Sequence, residues 1–593
     1  MPKRMPARST IAIAVVMVFL FTITWRWSWN EGPSIIRSDA RGYYGYLRAV
    51  FITKDLGHEK PDIAYVNQPP DGTLNKYFAG EAVMLLPFFL SAHAYAHLIG
   101  VPLDGFSIPY QRSISIAALV YALLGLLTLR AVLRRLDVRD GVIAAVLLTL
   151  GFATQLVQYT SIQPGWTHVY SFCLFAVFML LAQRIASDGK SRDIILLGAV
   201  LGLIVLIRPV NALVVLSIPV VLGDGTLVFV KRLFARPRVI TISLLVCCAI
   251  ISIQCALWYA QVGHLFAYGY AGEGFYWAHP QFFNVLFGIR RGLFIWTPVL
   301  ILSVVGTVTL WNHDRVRCVA LVVYFIANTY VISCWWIWYY GSGFGARVYI
   351  EHYPVLMVPI ALLLSRSWGW KSRIVPACIV CCSAYLLAQF YQFNHRLLQV
   401  ECMDRKKYAY SFLRFDDAHR DKLGGLFEVP PYGPNGMDVL LRESWNAESG
   451  APHFHGHVVE ATNAPSPMHV IASTPEEEFS IGFEMKADEL PVDRALYLVV
   501  GFERHVLHVD DTRTLLGVAS SDRDDGSNSF YLSFAMEPLP PAHDDVWEHI
   551  EYRIPYAPLH PGERIKFYFW NPHHDARFEL DDIDITVHAV RPY

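Results

Sequence analysis

Charge is what this chain has least of. Lys, Arg, Asp and Glu make up 17% of its 593 residues, while 54% are hydrophobic. A soluble domain carries about 25% charged residues, so an ordinary water-soluble protein is excluded for most of the length. The charges that remain cancel to a formal net −1, which leaves no excess of positive charge for a nucleic-acid partner. Cysteine is missing from the last part of the chain. The ten cysteines are Cys173, Cys247, Cys248, Cys255, Cys318, Cys334, Cys378, Cys381, Cys382 and Cys402, so the C-terminal region has no disulfide framework. Most of them lie in apolar runs, where free Cys packs as a small hydrophobe. Cys378-x-x-Cys381-Cys382 is read that way, because it lies mid-span with no His nearby. The first apolar run, Ile11 to Ile23, has no small-residue cleavage site after it. Trp25-Arg26-Trp27-Ser28-Trp29 follows instead, as an interfacial aromatic belt. An uncleaved helix with its N-terminus in the cytoplasm is expected.

What is present is a series of apolar stretches. Further spans are expected near 112–132, 141–158, 165–184, 192–207, 209–222, 238–262, 292–311, 316–334, 352–366 and 374–392, making eleven with the first. Loops 130–140, 184–192, 223–238, 312–317 and 365–373 hold 4, 3, 4, 2 and 3 Lys or Arg, and loop 159–164 holds none. The positive-inside rule places the first set in the cytoplasm and the C-terminus outside. Glu81–Ile99 is apolar too, but making it a span would move Arg134 and Arg135 outside. It is expected to lie on the outer interface or dip partway in, with a twelfth spanning helix as the alternative. The outer segments are then the long first loop 28–111, loop 263–291, loop 335–351 and the turn Ser161–His168, all rich in Gly, Pro and aromatics.

Composition changes after about residue 394. Residues 1–395 form the expected membrane domain, 396–440 a polar linker with the turn cluster Pro430–Gly436, and 441–593 an outer domain. Apolar and polar residues alternate at Phe479–Phe483, Phe530–Phe534 and Phe578–Val587, the period of half-buried strands. Short strands at this spacing suggest a β-sandwich. His453-Phe454-His455-Gly456-His457 and Asp522–Gly526 read more simply as strand and turn than as metal or calcium sites.

Several polar residues could carry chemistry. Asp39, in Ser38-Asp39-Ala40-Arg41-Gly42-Tyr43-Tyr44, is a carboxylate near the bilayer, which is costly without a partner or a task. It could act as a base, or Ser38 or Asp39 could simply cap a helix through Tyr43 to Phe51. Lys76 could meet a lipid phosphate or snorkel. Arg290-Arg291 suit a phosphate or ordinary headgroups. Arg347 follows the Gly-rich stretch 341–345 and has no nearby acid before Glu351, which makes it a phosphate-binding candidate. Glu273 is a second carboxylate in a loop, for a substrate or a metal. His168 reads as a satisfied bundle histidine or a substrate contact. Arg208-Pro209 breaks the 192–222 segment, and the arginine needs water, phosphate or a carboxylate.

Asp39 with Tyr43-Tyr44, Lys76 ahead of the 81–99 helix, the Leu129–Leu136 turn and Arg208-Pro209 together resemble the GT-C superfamily of integral membrane glycosyltransferases. The resemblance covers roughly 10–395 and is closest to the protein O-mannosyltransferases and lipid A aminoarabinose transferases. Asp39-Ala40 stands where those relatives often carry Asp-Glu, and Lys76-Tyr77 where they place Lys before Pro-Pro. The resemblance implies a multi-pass inner-membrane enzyme that moves a sugar from a polyprenyl-phosphate donor to a glycan, glycolipid or protein acceptor, with inversion. Asp39 and Glu273 would be its catalytic acids. Lys76, His168, Arg208, Arg290, Arg291, Arg347, Tyr43 and Tyr44 would bind substrate. Relatives differ in using a divalent cation, which leaves Mg or Mn open. Ile565–Pro572 and Phe578–Ile583 resemble jelly-roll carbohydrate-binding modules. The rival reading is a transporter or flippase of lipid-linked sugars, for which a second broken helix pair would be expected and only 192–222 is seen.

Overall fold

The computed structural model describes residues 7–31, 35–56, 66–67, 72–270, 273–366, 371–398, 403–420, 437–446, 451–455, 459–460, 469–473, 478–491, 494, 496–506, 516–523, 528–535, 545–556, 559, 562–572, 574 and 578–590. The Pro430–Gly436 cluster, His457 and Asp524–Gly526 lie outside them. The chain divides into two compact units. One holds 1–269, 281–333 and 344–390, and the other holds 270–280, 334–343 and 391–593.

The first unit is helical. Among the described residues, eight helical segments are long and apolar enough to cross a membrane: 8–30, 108–134, 168–187, 209–234, 237–262, 315–333, 347–366 and 373–394. The expected count of eleven is therefore not confirmed. Two of the expected spans are the shorter apolar helices 140–152 and 298–310, and 192–207 is the 17-residue helix Ser191–Ile207. The segment after Arg208-Pro209 is longer than the sequence suggests, because helix Thr226–Phe234 occupies part of the expected loop 223–238. Residues 81–99 form a 19-residue helix, Gly80–Leu98, which is not among the eight. Large apolar side chains stand exposed on these helices, including Leu244, Leu245, Val308 and Val380. Such a surface suits lipid rather than water.

Glycine sets how closely the helices approach. Helix Pro237–Val262 packs on Ser191–Ile207, and a Cβ at Gly198 would collide with the Ser243 carbonyl while one at Gly202 would lie 3.0 Å from the Cys247 carbonyl. This is the small-xxx-small spacing by which membrane helices bring backbones together. Ser243 adds a hydrogen bond, donating from Oγ to the Ile194 carbonyl at 2.7 Å. Gly125 likewise admits the ring of Phe172 between helices Ile108–Arg134 and His168–Ser187.

The second unit carries the β-sandwich expected from the alternating pattern. One antiparallel sheet runs in the order Asn528–Ala535, Leu516–Asp522, Arg564–Trp570, Phe479–Lys486, Phe454–His455. The other runs Val546–Tyr556, Leu496–Val506, Phe578–Val590, His469–Ser473, Val459–Glu460, with Met437–Trp445 also paired to Phe578–Val590. Ile565, Phe567 and Phe569 point into the core with Phe483, Val500, Phe502, Ile585 and Val587, while Lys566, Tyr568 and Trp570 between them do not. In the same unit the two polar stretches around 275 and 335 join. Phe275 bridges to Trp335, and its ring lies 4.9 Å from those of both Trp277 and Trp335. His453 is held between Glu443, at 2.5 Å, and Glu489, at 3.3 Å. That is an ion-pair setting, and no group of three metal-ligating side chains occurs among the described residues.

Candidate active site

Asp39 opens the helix Asp39–Arg48, where the sequence suggests a helix start. No side chain caps it. Ser38 takes φ 51° and ψ −140°, a conformation that L-residues adopt only when their surroundings force it. The Asp39 carboxylate is used elsewhere. Its Oδ2 accepts from Arg347 Nη1 at 2.8 Å, and its Oδ1 accepts from the Tyr77 hydroxyl at 2.9 Å. The Arg347 guanidinium in turn lies 4.1 Å over the ring of buried Trp166, a cation–π contact. Arg347 therefore has an acid in the folded chain, 308 residues away in sequence.

Two glycines make this assembly fit. A Cβ at Gly165 would sit 2.7 Å from the Cβ of Ala40, so the turn carrying Trp166 can rest on the helix of Asp39. A Cβ at Gly42 would run into the Tyr77 ring, so that ring can lie against the same helix, 4.4 Å from the ring of Tyr43.

A second ion cluster begins four residues beyond Arg347. Glu351 is buried, its Oε1 accepting from Arg208 Nη1 at 3.0 Å and its Oε2 lying 3.0 Å from His168 Nδ1. Arg208 Nη2 is 3.5 Å from Thr167 Oγ1. The backbone of Arg208 is extended at φ −156° and ψ 112°, because Pro209 cannot continue the helix and disfavours the α region before it. His168 is thus a satisfied histidine, and Arg208 has the carboxylate it needs.

Of the residues singled out in the sequence, the structure brings together Asp39, Tyr43, Lys76, His168, Arg208, Arg291 and Arg347. Tyr43 is buried within electrostatic reach of Arg208, Asp39 and Arg347. Arg291 is buried and, like Arg347, acts electrostatically on Tyr159. The Lys76 ammonium lies 5.6 Å from the Tyr77 ring and within reach of Asp39. Tyr44 is not brought in: its hydroxyl donates to the Gly105 carbonyl at 2.7 Å. Arg290 is only half-buried, and Glu273 belongs to the second unit, its N–H donating to the Tyr270 carbonyl at 2.9 Å.

The sequence reading did not single out Tyr77, Trp166, Glu351 or Glu81 as site residues. Glu81 is fully buried in the first turn of helix Gly80–Leu98, and neither of its carboxylate oxygens meets a hydrogen-bond partner. A signal existed for both acids, since an ionisable residue inside an apolar run is costly and usually has a function.

Burial works to raise the Asp39 carboxyl pKa, but the Arg347 guanidinium, the Tyr77 hydroxyl and the Lys76 charge outweigh it and hold it below the ordinary value. Glu81 goes the opposite way. Burial first, and then the negative charge of Asp39, push it well above the ordinary range, with Arg208 opposing. Two neighbouring carboxyl groups are thereby shifted in opposite directions, the pattern by which acid and base tasks are divided.

No family model and no curated protein matches the chain. Solved structures similar to it include the oligosaccharyltransferase AglB from Archaeoglobus fulgidus, at 11% identity and TM-score 0.36, covering 71% of this chain and 61% of that one. The arabinosyltransferase EmbB from Mycobacterium smegmatis is similar at 12% identity and TM-score 0.35, over 100% of this chain and 65% of that one. The CBM22-1 xylan-binding domain of Paenibacillus barcinonensis Xyn10C covers 26% of this chain and 97% of its own, at 13% identity and TM-score 0.18. The chain thus spans less than two thirds of either transferase. At such TM-scores the likenesses carry no argument about its chemistry.

Proposed function

We propose that the chain is a membrane glycosyltransferase of the GT-C type that moves a sugar from a polyprenyl-phosphate donor to a hydroxyl-bearing glycan, lipid or protein acceptor. The observation that carries the reading is Asp39, kept ionised by Arg347 and Tyr77, with Arg208, Arg291 and Lys76 close by. This is a carboxylate for an incoming hydroxyl beside cations for a departing phosphate. The acceptor oxygen forms a bond to the anomeric carbon as the bond from that carbon to the phosphate oxygen breaks. The electron pair leaves on the polyprenyl phosphate, and the acceptor proton passes to Asp39 and then to water. The hydrogen bonds from Arg347 and Tyr77 weaken Asp39 as a base, so it takes the proton late, after the sugar–phosphate bond has largely opened. Arg347 spans both tasks, since it can turn from Asp39 to the leaving phosphate and neutralise charge as it develops.

The test is transfer from polyprenyl-phosphate glucose, mannose and arabinose to membrane acceptors, comparing wild type with Asp39→Asn. Loss of a base and its charge should lower kcat by about 10²–10⁴-fold, with the melting profile retained. Undiminished transfer by the folded variant would remove Asp39 from the chemistry. Transport of the same lipids across vesicles, without transfer by the wild type, would favour a flippase.

A further inference from the structure

Glu81 has no task in the reaction just described, yet it sits among the groups that do. Its helix begins hard against the strand-like break that presents Arg208, for a Cβ at Gly80 would collide with the backbone of Leu206 and Ile207. Asp39 and Arg208 both act on it electrostatically, and it acts on Tyr43 and Tyr170. The polar groups around it are satisfied: Asp39 by Arg347 and Tyr77, Glu351 by Arg208 and His168. Glu81 alone of these carboxyl groups has both oxygens orphaned, with its side chain fully buried. Native proteins rarely leave such a group unpaired, and each one calls for an explanation.

We propose that Glu81 is a substrate-binding residue whose orphaned carboxyl group takes a ring hydroxyl of the sugar beside Asp39. The inference rests on the sugar-transfer reading. A carboxylic acid offers one O–H donor and an acceptor oxygen on the same planar group, which matches a hydroxyl that both donates and accepts. An ionised carboxylate could not stay in this position without a cation against it, whereas a neutral acid can wait there for a polar ligand. The role differs from that of Asp39. Glu81 grips the ring and sets its orientation, and it exchanges no proton during transfer. It also gives specificity, because a site built to pair a hydroxyl rejects a sugar that lacks it by leaving its own polar group unpaired.

The experiment uses the full-length protein with Glu81→Met and Glu81→Gln. The methionine removes an unpaired buried polar group, so the melting midpoint without substrate should equal or exceed that of wild type. Donor KM should nevertheless rise on the order of tenfold to a hundredfold. Glutamine, neutral and able to donate and accept, should restore most of that loss. Donors deoxygenated at each ring position supply the second readout. At one position the wild type should fall to the level of Glu81→Met, and the variant should be indifferent. A KM within twofold of wild type in Glu81→Met would overturn the inference. So would a folded Glu81→Gln as impaired as Glu81→Met, since that would require the ionised form. If wild type transfers none of the three sugars, the functional reading fails by itself. Glu81 is then tested by tryptophan quenching with the same lipids: quenching lost in Glu81→Met supports its role, and equal behaviour, including none in either protein, overturns it.

Discussion

At the scale of single residues, the site is a set of charges that were visible and pairings that were not. Asp39 stood out as an acid among aromatics near a bilayer, and Arg347 as a cation after a glycine run. Nothing in the spacing could join them across 308 residues. Glu81 and Glu351 were missed for a different reason: Glu81 lies in the first turn of an apolar helix and Glu351 in the turn just ahead of one, where an acid is easily taken for an end-of-helix residue. The Asp39–Arg347 pair makes its own prediction. The side chains are 21% and 13% exposed, so removing one partner strands a mostly desolvated charge. Arg347→Met should destabilise the protein by about 3 kcal/mol. Adding Asp39→Asn should recover part of this, with a coupling of about 0.5–3 kcal/mol. Denaturation in detergent reads both, and strict additivity would show that the two do not interact.

At the scale of elements, hydropathy found both the long helices and the short ones, and read the short ones as spans. A 13-residue helix such as Asp140–Phe152 is too short to span a bilayer alone, so length-based counting has nothing to fix its role. The Gly198/Gly202 spacing, by contrast, was present in the sequence and specifies a helix pair. Gly198→Ala should push helix Pro237–Val262 away from Ser191–Ile207, because the obstructing atoms include the Ser243 backbone oxygen beside its Oγ, and no rotamer can move the backbone. Overpacking of this kind costs about 1–3 kcal/mol. Cross-linking of cysteines introduced on the two helices should slow, and an unchanged rate and melting point would reject the close approach.

At the scale of the whole molecule, the division between a helical part and a β part was legible because the first reads as long apolar runs and the second as strands that alternate with a period of 2. Their stabilities should respond differently to pH. Burial works to lower the pKa of His453, but Glu443 and Glu489 together raise it above the ordinary histidine value. A group raised in the folded state stabilises most fully below its unfolded pKa of about 6.5, and the contribution is lost as pH rises through the folded value. The melting transition of the sandwich should therefore fall as pH rises above about 6.5, and more steeply in wild type than in His453→Gln. Equal slopes would show that the two glutamates do not act on this ring.

The turn Arg347–His352 has a consequence for how the chain is made. It holds Arg347, which closes on Asp39, and Glu351, which closes on Arg208 and His168, over separations of 308, 143 and 183 residues. At about 5–20 residues per second, Asp39 leaves the ribosome roughly 15–60 s before its arginine exists. For that interval the earlier helices are in place with their acids and cations unmatched, and they depend on water, lipid headgroups or chaperones. A single turn synthesised late then locks three earlier segments at once. Premature truncation anywhere before residue 347 should leave a membrane-inserted product that quality-control proteases recognise by its unpaired charges.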